Sequence, residues 1–323
     1  MTVVRRLDAG EEQRFLDLLD GWPFSDGRRG REFFCKYVFD DHRFRPDNVW
    51  VAEDSGRLVT CVQIFPRELR IDDHVVRVGG IGSVFTASSH RRQGLAEQVL
   101  EACTLDMKQR GMGLSLLSGT RARWYASLGW KPWPSQHLRL LWNGEAVPRA
   151  EPITESDLGD VIRLHAAYSG VRPGCVERTV EDWQTSLRVA GNPDETFTVA
   201  RRDGRLVAYL RSAPLGPGQV TEWGRTEDGA AELAGLFAQA ASRHPLGGVN
   251  APRLSDPALA AALDQIGFDI EALDDPTSFD SDPGSPVWML KPLDAGPWRV
   301  AHHEELAQRL PPSDFCFWPS DRF

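Results

Sequence analysis

Residues 78–133, VGGIGSVFTASSHRRQGLAEQVLEACTLDMKQRGMGLSLLSGTRARWYASLGWKPW, decide the fold of this chain. An apolar strand at residues 81–85 runs into a basic loop at residues 90–96, and apolar residues at helical spacing follow the loop. A second apolar strand at residues 114–117 leads into a turn that carries Tyr125. The stretch therefore predicts a strand, a loop, a helix, a strand and a turn, in that order.

The loop at residues 90–96, HRRQGLA, is suited to the pyrophosphate of a nucleotide cofactor. The first turn of a helix presents unpaired backbone N–H groups and a partial positive charge. Gly94 and Ala96 leave room for phosphate oxygens to approach that backbone, and Arg91 and Arg92 add charge-assisted donors. Taken alone, the loop is equally compatible with the solvated basic start of an ordinary helix.

The pattern Arg91-x-x-Gly94-x-Ala96 resembles the acetyl-CoA loop of the GCN5-related N-acetyltransferase (GNAT) family, which reads Arg or Gln, two residues, Gly, one residue, Gly or Ala. The following order is also similar, because Tyr125 stands four residues before a glycine that an aromatic residue follows. The resemblance implies an α/β (α+β) fold, with a mixed, mostly antiparallel twisted sheet flanked by helices. It implies acetyl-CoA as co-substrate without a metal, and Tyr125 as the general acid. The implied cofactor-binding residues are Val84, Phe85, Thr86, Arg91, Arg92, Gln93, Gly94, Leu95 and Ala96.

Length and composition favour a two-domain protein of the cytoplasm. The chain has 323 residues, 41% of them hydrophobic, which suffices for two cores. It has neither an apolar run long enough to span a membrane nor an apolar segment typical of a secretion signal. Its five cysteines are widely spaced and predict free thiols, not a disulfide framework or zinc site. The net charge of −9 argues against nucleic-acid binding and favours a cationic amine as substrate.

An internal repeat indicates two copies of one fold. Residues 49–59 and 197–207 both read as a β-hairpin closed by a glycine, and the two glycines are 204 − 56 = 148 residues apart. The second copy lacks the residues needed for cofactor binding and catalysis. Residues 225–229, RTEDG, would place carboxylates next to a pyrophosphate and repel it, and Leu263 stands where a tyrosine is expected. We therefore predict a catalytic domain at residues 1–142, a degenerate copy at 143–294 and a docking tail at 295–323. The arrangement resembles the Eis-like acetyltransferases without their sterol-carrier-like domain.

Two further sets of residues are predicted for the site. Trp22, Phe24 and Asp26 follow the first helix, where the family's acceptor loop lies, and combine aromatic walls with a carboxylate. Core packing of the two aromatic residues is an equally probable interpretation. The resemblance also implies that the terminal carboxylate of Phe323 is the base, with Asp321 or a water-linked Glu68 as alternatives. The tail would otherwise only hold the two domains together.

The predicted function is acetyl transfer from acetyl-CoA to a primary amine of a small molecule by direct attack, with Tyr125 as general acid. An acyl-CoA-binding regulatory protein without activity, and an N-acetyltransferase of proteins or peptides, are the alternatives. Neither nucleic acid nor membrane is expected as a partner. The sequence does not predict the oligomeric state.

Overall fold

The computed structural model describes residues 2–24, 27–133, 137–144, 150–189, 195–213, 218–244, 247–252, 255–273, 287–310 and 315–318. Within these ranges the helices are α1 (Glu12–Leu19), α2 (Gly30–Phe39), α3 (Leu95–Gln109), α4 (Ala122–Ser127), α5 (Leu158–Tyr168), α6 (Val180–Val189), α7 (Ala230–Ser242), α8 (Pro257–Gln265) and α9 (His303–Arg309). The strands are β1 (Val3–Arg6), β2 (Val49–Asp54), β3 (Arg57–Ile71), β4 (His74–Thr86), β5 (Leu114–Gly119), β6 (Lys131–Pro132), β7 (His137–Trp142), β8 (Glu151–Pro152), β9 (Cys175–Val176), β10 (Thr196–Arg202), β11 (Arg205–Ala213), β12 (Gln219–Arg225), β13 (Gly248–Pro252), β14 (Phe268–Leu273) and β15 (Val287–Pro292).

These strands form two mixed sheets that repeat one pattern. The first sheet has the order β1-β2-β3-β4-β5-β15-β6, with β9 paired to β3, and the second has the order β14-β7-β13-β12-β11-β10-β8. In each sheet one neighbouring pair is parallel, β4 with β5 and β12 with β13, while the other pairs are antiparallel. The predicted fold class, two GNAT-like sheets flanked by helices, is confirmed.

The two predicted hairpins are present, and their turns have the same backbone geometry. Ser55 and Gly56 join β2 to β3 with φ of 50° and 77°, and Asp203 and Gly204 join β10 to β11 with φ of 51° and 77°. Positive φ at both central turn positions is the type I′ arrangement, whose twist matches that of the flanking strands. The repeat therefore extends to local backbone conformation.

Each half of the chain contributes one strand to the sheet of the other half. The two sheets therefore do not coincide with the segments 1–142 and 143–294 that the sequence predicted as domains. β7, which precedes the first division, lies between β13 and β14 in the second sheet. β15, which precedes the second division, lies between β5 and β6 in the first sheet. Each half thus supplies the strand that completes the other half's sheet.

Two apolar layers cover opposite faces of the first sheet. The amphipathic α3 buries Val99, Leu100 and Cys103 against one face. On the other face α1 and α2 bury residues that pack against Phe85 of β4. Because successive strand residues point to opposite faces, Val84 packs against the α3 layer while Phe85 joins the α1 and α2 layer.

The described part of the C-terminal tail packs against both sheets. Phe317 lies 5.0 Å from the ring of Trp288 on β15, and Trp318 lies 4.5 Å from the ring of Trp223 on β12. The Trp318 indole N–H also donates a hydrogen bond of 3.0 Å to the hydroxyl of Ser169. Burial of these aromatic rings stabilises the contact at roughly 25 cal/mol per Å² of apolar surface.

Candidate active site

A gap opens in the first sheet where β4 and β5 diverge. The two strands pair in parallel from Val78 with Leu114 to Ile81 with Leu117, and within residues 27–133, all described, no ladder joins them beyond that point. β4 nevertheless continues to Thr86 and β5 to Gly119. The backbone of residues 82–86 therefore has one edge that no neighbouring strand covers.

A β-bulge in β4 produces this divergence. Cys61 of β3 pairs with Phe85 of β4. Gln63 lies two residues after Cys61 on β3, but its partner Gly82 lies three residues before Phe85 on β4. β4 thus carries one extra residue, and Ser83 within it has a φ of 50°. An extra residue bends a strand and increases its twist. The Ser83 hydroxyl donates to the Gln63 side-chain oxygen at 3.3 Å and helps to hold the bulge.

The basic loop lies directly after the uncovered end of β4. The Arg91 guanidinium donates from Nε to the Thr86 carbonyl at 3.1 Å and lies 5.9 Å from the Phe85 ring centre. Gly94 precedes α3 with a φ of 74°, a conformation that favours glycine. A Cβ at Gly94 would meet nothing closer than 3.8 Å, so the approach to the helix start is open.

The first turn of α3 is free to bind an anion. The first backbone hydrogen bond of the helix runs from the Gln98 N–H to the Gly94 carbonyl at 3.1 Å, and no described side chain caps the three preceding N–H groups. Arg91 and Arg92 are exposed beside them. These donors and charges fit the pyrophosphate of a CoA molecule.

Tyr125 lies on the opposite wall of the gap. Its helix α4 follows β5 after two residues, and the Tyr125 ring packs in the same core cluster as Ile81, Leu95 and Leu117. The indole N–H of Trp124 donates to Glu97 in the first turn of α3 at 3.1 Å, which joins the two helices. The sheet gap, the loop and the phenol therefore occupy one region.

The phenol of Tyr125 remains protonated in this environment. Burial raises its pKa to about 12, against a small opposing effect of the Arg121 charge. Among the described residues no group forms a hydrogen bond with its hydroxyl. Within the described part of the chain, the hydroxyl is thus a proton donor without an acceptor.

Comparison with known proteins identifies this half of the chain. The model of the acetyltransferase (GNAT) domain family matches residues 3–133. Residues 3–133 are thus similar to the acetyltransferase domains of the GNAT family. The protein is accordingly an acyl-CoA-dependent N-acyltransferase.

Solved structures share the fold of both halves. A GCN5-related N-acetyltransferase from Anabaena variabilis is 14% identical, with a TM-score of 0.65 over 91% of this chain and 73% of that one. Eis1 from Mycobacterium abscessus is 15% identical, with a TM-score of 0.59 over 91% and 74%. N-myristoyltransferase from Saccharomyces cerevisiae, solved with bound myristoyl-CoA, is 13% identical, with a TM-score of 0.56 over 90% and 82%.

The predicted acceptor residues lie on the other face of the GNAT sheet. The Trp22 ring lies 5.8 Å from the Phe85 ring of β4 and 6.3 Å from the Phe24 ring. Both side chains are half-buried, so they combine the core packing and the exposed aromatic surface that the sequence left as alternatives.

Four predicted groups are not among the residues of the described site. Asp26 and Phe323, like the alternative base Asp321, lie outside the described residues. Glu68 pairs with Arg77 at the far end of β4, eight residues from Phe85, or about 26 Å along an extended strand. Glu68 is therefore too far from the gap to act as the base.

The second sheet has a similar divergence but different chemistry around it. β12 and β13 pair only at Gln219 with Asn250, and the Glu222 carboxylate beyond that pair is fully enclosed. It accepts hydrogen bonds from Arg178 at 3.0 and 3.1 Å and from the Tyr209 hydroxyl at 2.9 Å. The Arg178 guanidinium is therefore already paired with Glu222 and is not available to a nucleotide.

The loop before α7 is also unlike the basic loop at residues 90–96. Arg225 pairs with Asp256 at 2.7 Å and donates to the Glu227 carbonyl at 2.6 Å, which closes the loop on itself. Asp228 pairs with Arg202 at 2.6 Å. Gly229 has a φ of −86°, in contrast to Gly94.

Sequence reasoning missed the residues that shape the gap. Gly119 and Ser83 belong to no motif, because their importance lies in a contact and a bulge and not in side-chain chemistry. The only local signal was the glycine at the end of a strand, which often marks close approach of another group.

Neither a metal site nor a membrane-spanning helix is present among the described residues. They contain no group of three or more His, Cys, Asp or Glu side chains arranged to hold a metal ion. None of their helices has the length and apolarity needed to traverse a bilayer.

Proposed function

We propose that the protein transfers an acetyl group from acetyl-CoA to a primary amine of a small molecule, by direct attack and with Tyr125 as the general acid. The acyl-CoA supplies an activated thioester carbonyl. The neutral amine nitrogen forms a bond to the carbonyl carbon and the carbon–sulfur bond breaks. The nitrogen releases one proton to a base or to water, the departing thiolate takes one proton from Tyr125, and the phenolate is reprotonated from solvent. No covalent bond to the protein is required.

The protonated phenol of Tyr125, which has no hydrogen-bond partner among the described residues, carries this proposal. A thiol such as that of CoA has an ordinary pKa of about 8.5, so the departing thiolate takes up a proton at neutral pH, and a donor positioned in the gap can supply it. Burial keeps the Tyr125 proton in place at neutral pH, and its pKa of about 12 means that it returns readily to the protonated form after transfer. Trp124 and Gly119 hold the side chain at the edge of the gap.

The remaining groups are suited to bind the acyl-CoA and to orient its thioester carbonyl. Backbone N–H groups of Val84, Phe85 and Thr86 on the uncovered edge of β4 are suited to hold the pantetheine arm and polarise the thioester carbonyl. Arg91, Arg92 and the first turn of α3 are suited to the pyrophosphate. Holding two reactants in line supplies roughly 7–11 kcal/mol of the barrier reduction, a larger share than proton transfer alone.

The test is the substitution Tyr125→Phe, which removes one hydroxyl and keeps the ring packing. We expect kcat to fall by roughly 10²–10⁴-fold while the dissociation constant for acetyl-CoA stays the same. Thiol release with a panel of primary amines measures the first quantity and calorimetry the second. Tyr168→Phe, which removes a phenol in the second half, should keep the parental kcat.

Two results would refute the proposal. Parental turnover by the Tyr125→Phe protein would show that the phenol is not the acid. Tight binding of acetyl-CoA without transfer to any amine, small molecule or peptide, would indicate the regulatory alternative.

A further inference from the structure

The second half of the chain contributes one charged side chain to the α3 face of the first sheet. Lys291 lies on β15, the strand that the second half adds between β5 and β6. Its side chain is half-buried, and its Nζ lies 3.4 Å from the hydroxyl of Thr104 on α3. The ammonium of Lys291 thus lies among the residues that surround α4.

This ammonium binds the C-terminal end of α4. The Lys291 Nζ donates a hydrogen bond of 2.8 Å to the carbonyl of Leu128, the residue directly after the helix. The last carbonyl groups of a helix have no partner within the helix, and the helix dipole favours a cation beside them. The fit is close, because a Cβ atom on Gly129 would stand 3.2 Å from the Lys291 Cε. Lys291 therefore fixes the end of α4 against β15.

Two short connections join this contact to Tyr125. The backbone N–H groups of Leu128 and Trp130 both donate to the Tyr125 carbonyl, at 3.0 and 3.2 Å. The Trp130 ring also meets the Tyr125 ring edge to face, with the ring centres 6.3 Å apart. The Lys291 Nζ lies 4.2 Å from the centre of that Trp130 ring. The ammonium thus contacts both the turn and the ring that pack against the tyrosine.

We infer that Lys291 is a positioning residue for the general acid, an inference that rests on the proposed function. It holds the last turn of α4 so that the Tyr125 hydroxyl stays at the gap between β4 and β5. Gly119 supports the phenol ring from β5, whereas Lys291 fixes the backbone of the helix that carries it. The second half of the chain therefore takes part in catalysis without binding the cofactor, because it supplies the strand on which Lys291 lies.

The experiment removes the ammonium with Lys291→Met, which keeps an unbranched side chain. With saturating acetyl-CoA and the primary amine that the parent protein acetylates fastest, kcat should fall roughly tenfold, since a small displacement of a reacting group has effects of that size or more. The dissociation constant for CoA, measured by calorimetry, should keep its parental value, because the loop of Arg91 and Arg92 is untouched. Lys131→Met removes an exposed ammonium on the neighbouring β6 and should keep the parental kcat.

A double-mutant cycle with Tyr125→Phe separates positioning from a general loss of stability. If Lys291 acts through the phenol, adding Lys291→Met to Tyr125→Phe should lower kcat little further, because residues that act as a unit are not additive. Hydrogen exchange gives a second readout that needs no activity. The amides of residues 125–130 should exchange about tenfold faster in Lys291→Met, the scale of one lost charge-assisted hydrogen bond, while those of residues 95–109 keep their parental rates.

The outcomes distinguish this inference from the proposed function. Parental kcat in Lys291→Met, an equal loss in the Tyr125→Phe background, or a similar loss in Lys131→Met would overturn the inference. Weaker CoA binding that accounts for the loss, or unchanged exchange at residues 125–130, would overturn it as well. Absence of transfer by the parent protein to any amine would instead overturn the proposed function, and the exchange measurement would still decide whether Lys291 holds α4.

Discussion

The ring of Tyr125 lies against the backbone of Gly119, so closely that a Cβ atom on Gly119 would stand 2.9 Å from Cε2 of the tyrosine. Real Cβ atoms essentially never come that near to another heavy atom. The last residue of β5 therefore acts as a flat support for the phenol. The direction of the Tyr125 side chain depends on this contact.

Gly119→Ala should displace the Tyr125 ring and lower kcat. We expect a loss of roughly ten- to a hundredfold, because small misplacements of a reacting group have effects of that size. Steady-state thiol release measures the loss. Gly159→Ala, where a Cβ meets only the end of Arg163 at 4.0 Å, is the matched control and should keep parental activity. An unchanged kcat in Gly119→Ala would show that the support is dispensable.

The pH dependence of kcat should show no descending limb up to about pH 10. Burial raises the pKa of Tyr125 to about 12, so the acid form persists through the range in which an ordinary phenol would already lose its proton. The rate should rise as the acceptor amine deprotonates and then level off. A pH series of thiol release tests this, and a decline centred below pH 10 would contradict the role of Tyr125.

Reversing both loop charges, Arg91→Glu with Arg92→Glu, should weaken CoA binding by about tenfold or more, the scale of one or two charge-assisted hydrogen bonds. Calorimetry measures the change. Arg57→Glu with Arg139→Glu alters the net charge equally at exposed positions and should bind CoA nearly as the parent does. If the two double variants bind CoA with the same affinity, the loop arginines have no specific role in CoA binding.

One CoA should bind per chain. The loop of residues 225–229 is closed by Arg225 and carries two acidic side chains, and the Glu222 cluster retains the nearby cations. Titration of the protein with CoA, followed by calorimetry, gives the stoichiometry directly. Two sites of similar affinity would mean that the second half binds the nucleotide in spite of these carboxylates.

Acidification should destabilise the protein through His165. Burial first, and then the charge of Arg178, lower the pKa of this imidazole to about 3, whereas it is about 6.5 in the unfolded chain. The unfolded state thus binds more protons between these values, and stability falls as pH drops through that window.

The variant His165→Gln removes this proton linkage. From pH 7 to pH 5 the parent should lose about 2 kcal/mol more of its free energy of unfolding than the variant, measured by urea denaturation at each pH. His244→Gln changes an exposed or partly exposed histidine and is the control. Parallel losses in parent and His165→Gln would mean that His165 is protonated in the native state.

The order of elements around the cofactor loop was predictable from the sequence. Helical spacing after Gly94, an apolar strand at residues 114–117 and Tyr125 four residues before Gly129 are local patterns. Each depends on residues close together in the chain, and the structure has α3, β5 and α4 in that order. The paired hairpins that reveal the repeat are likewise local.

Local sequence patterns did not predict which sheet each strand joins. The hydrogen-bond partners of the strands at residues 137–142 and 287–292 depend on which sheet edge is free after folding. The same holds for the approach of Trp318 to Trp223, about ninety residues apart in the chain. Such contacts join distant segments, and periodicity within a segment carries no information about them.

The sequence by itself determined the local elements, the repeat, the cofactor loop and the tyrosine, because those follow from spacing and from side-chain chemistry over a few residues. Only the tertiary structure decided the exchange of β7 and β15, the bulge that parts β4 from β5 and the support of Tyr125 by Gly119. It also brought Lys291 of β15 to the end of α4. These features arise from close packing between distant segments, where the available space and the nearest charges are properties of the folded chain.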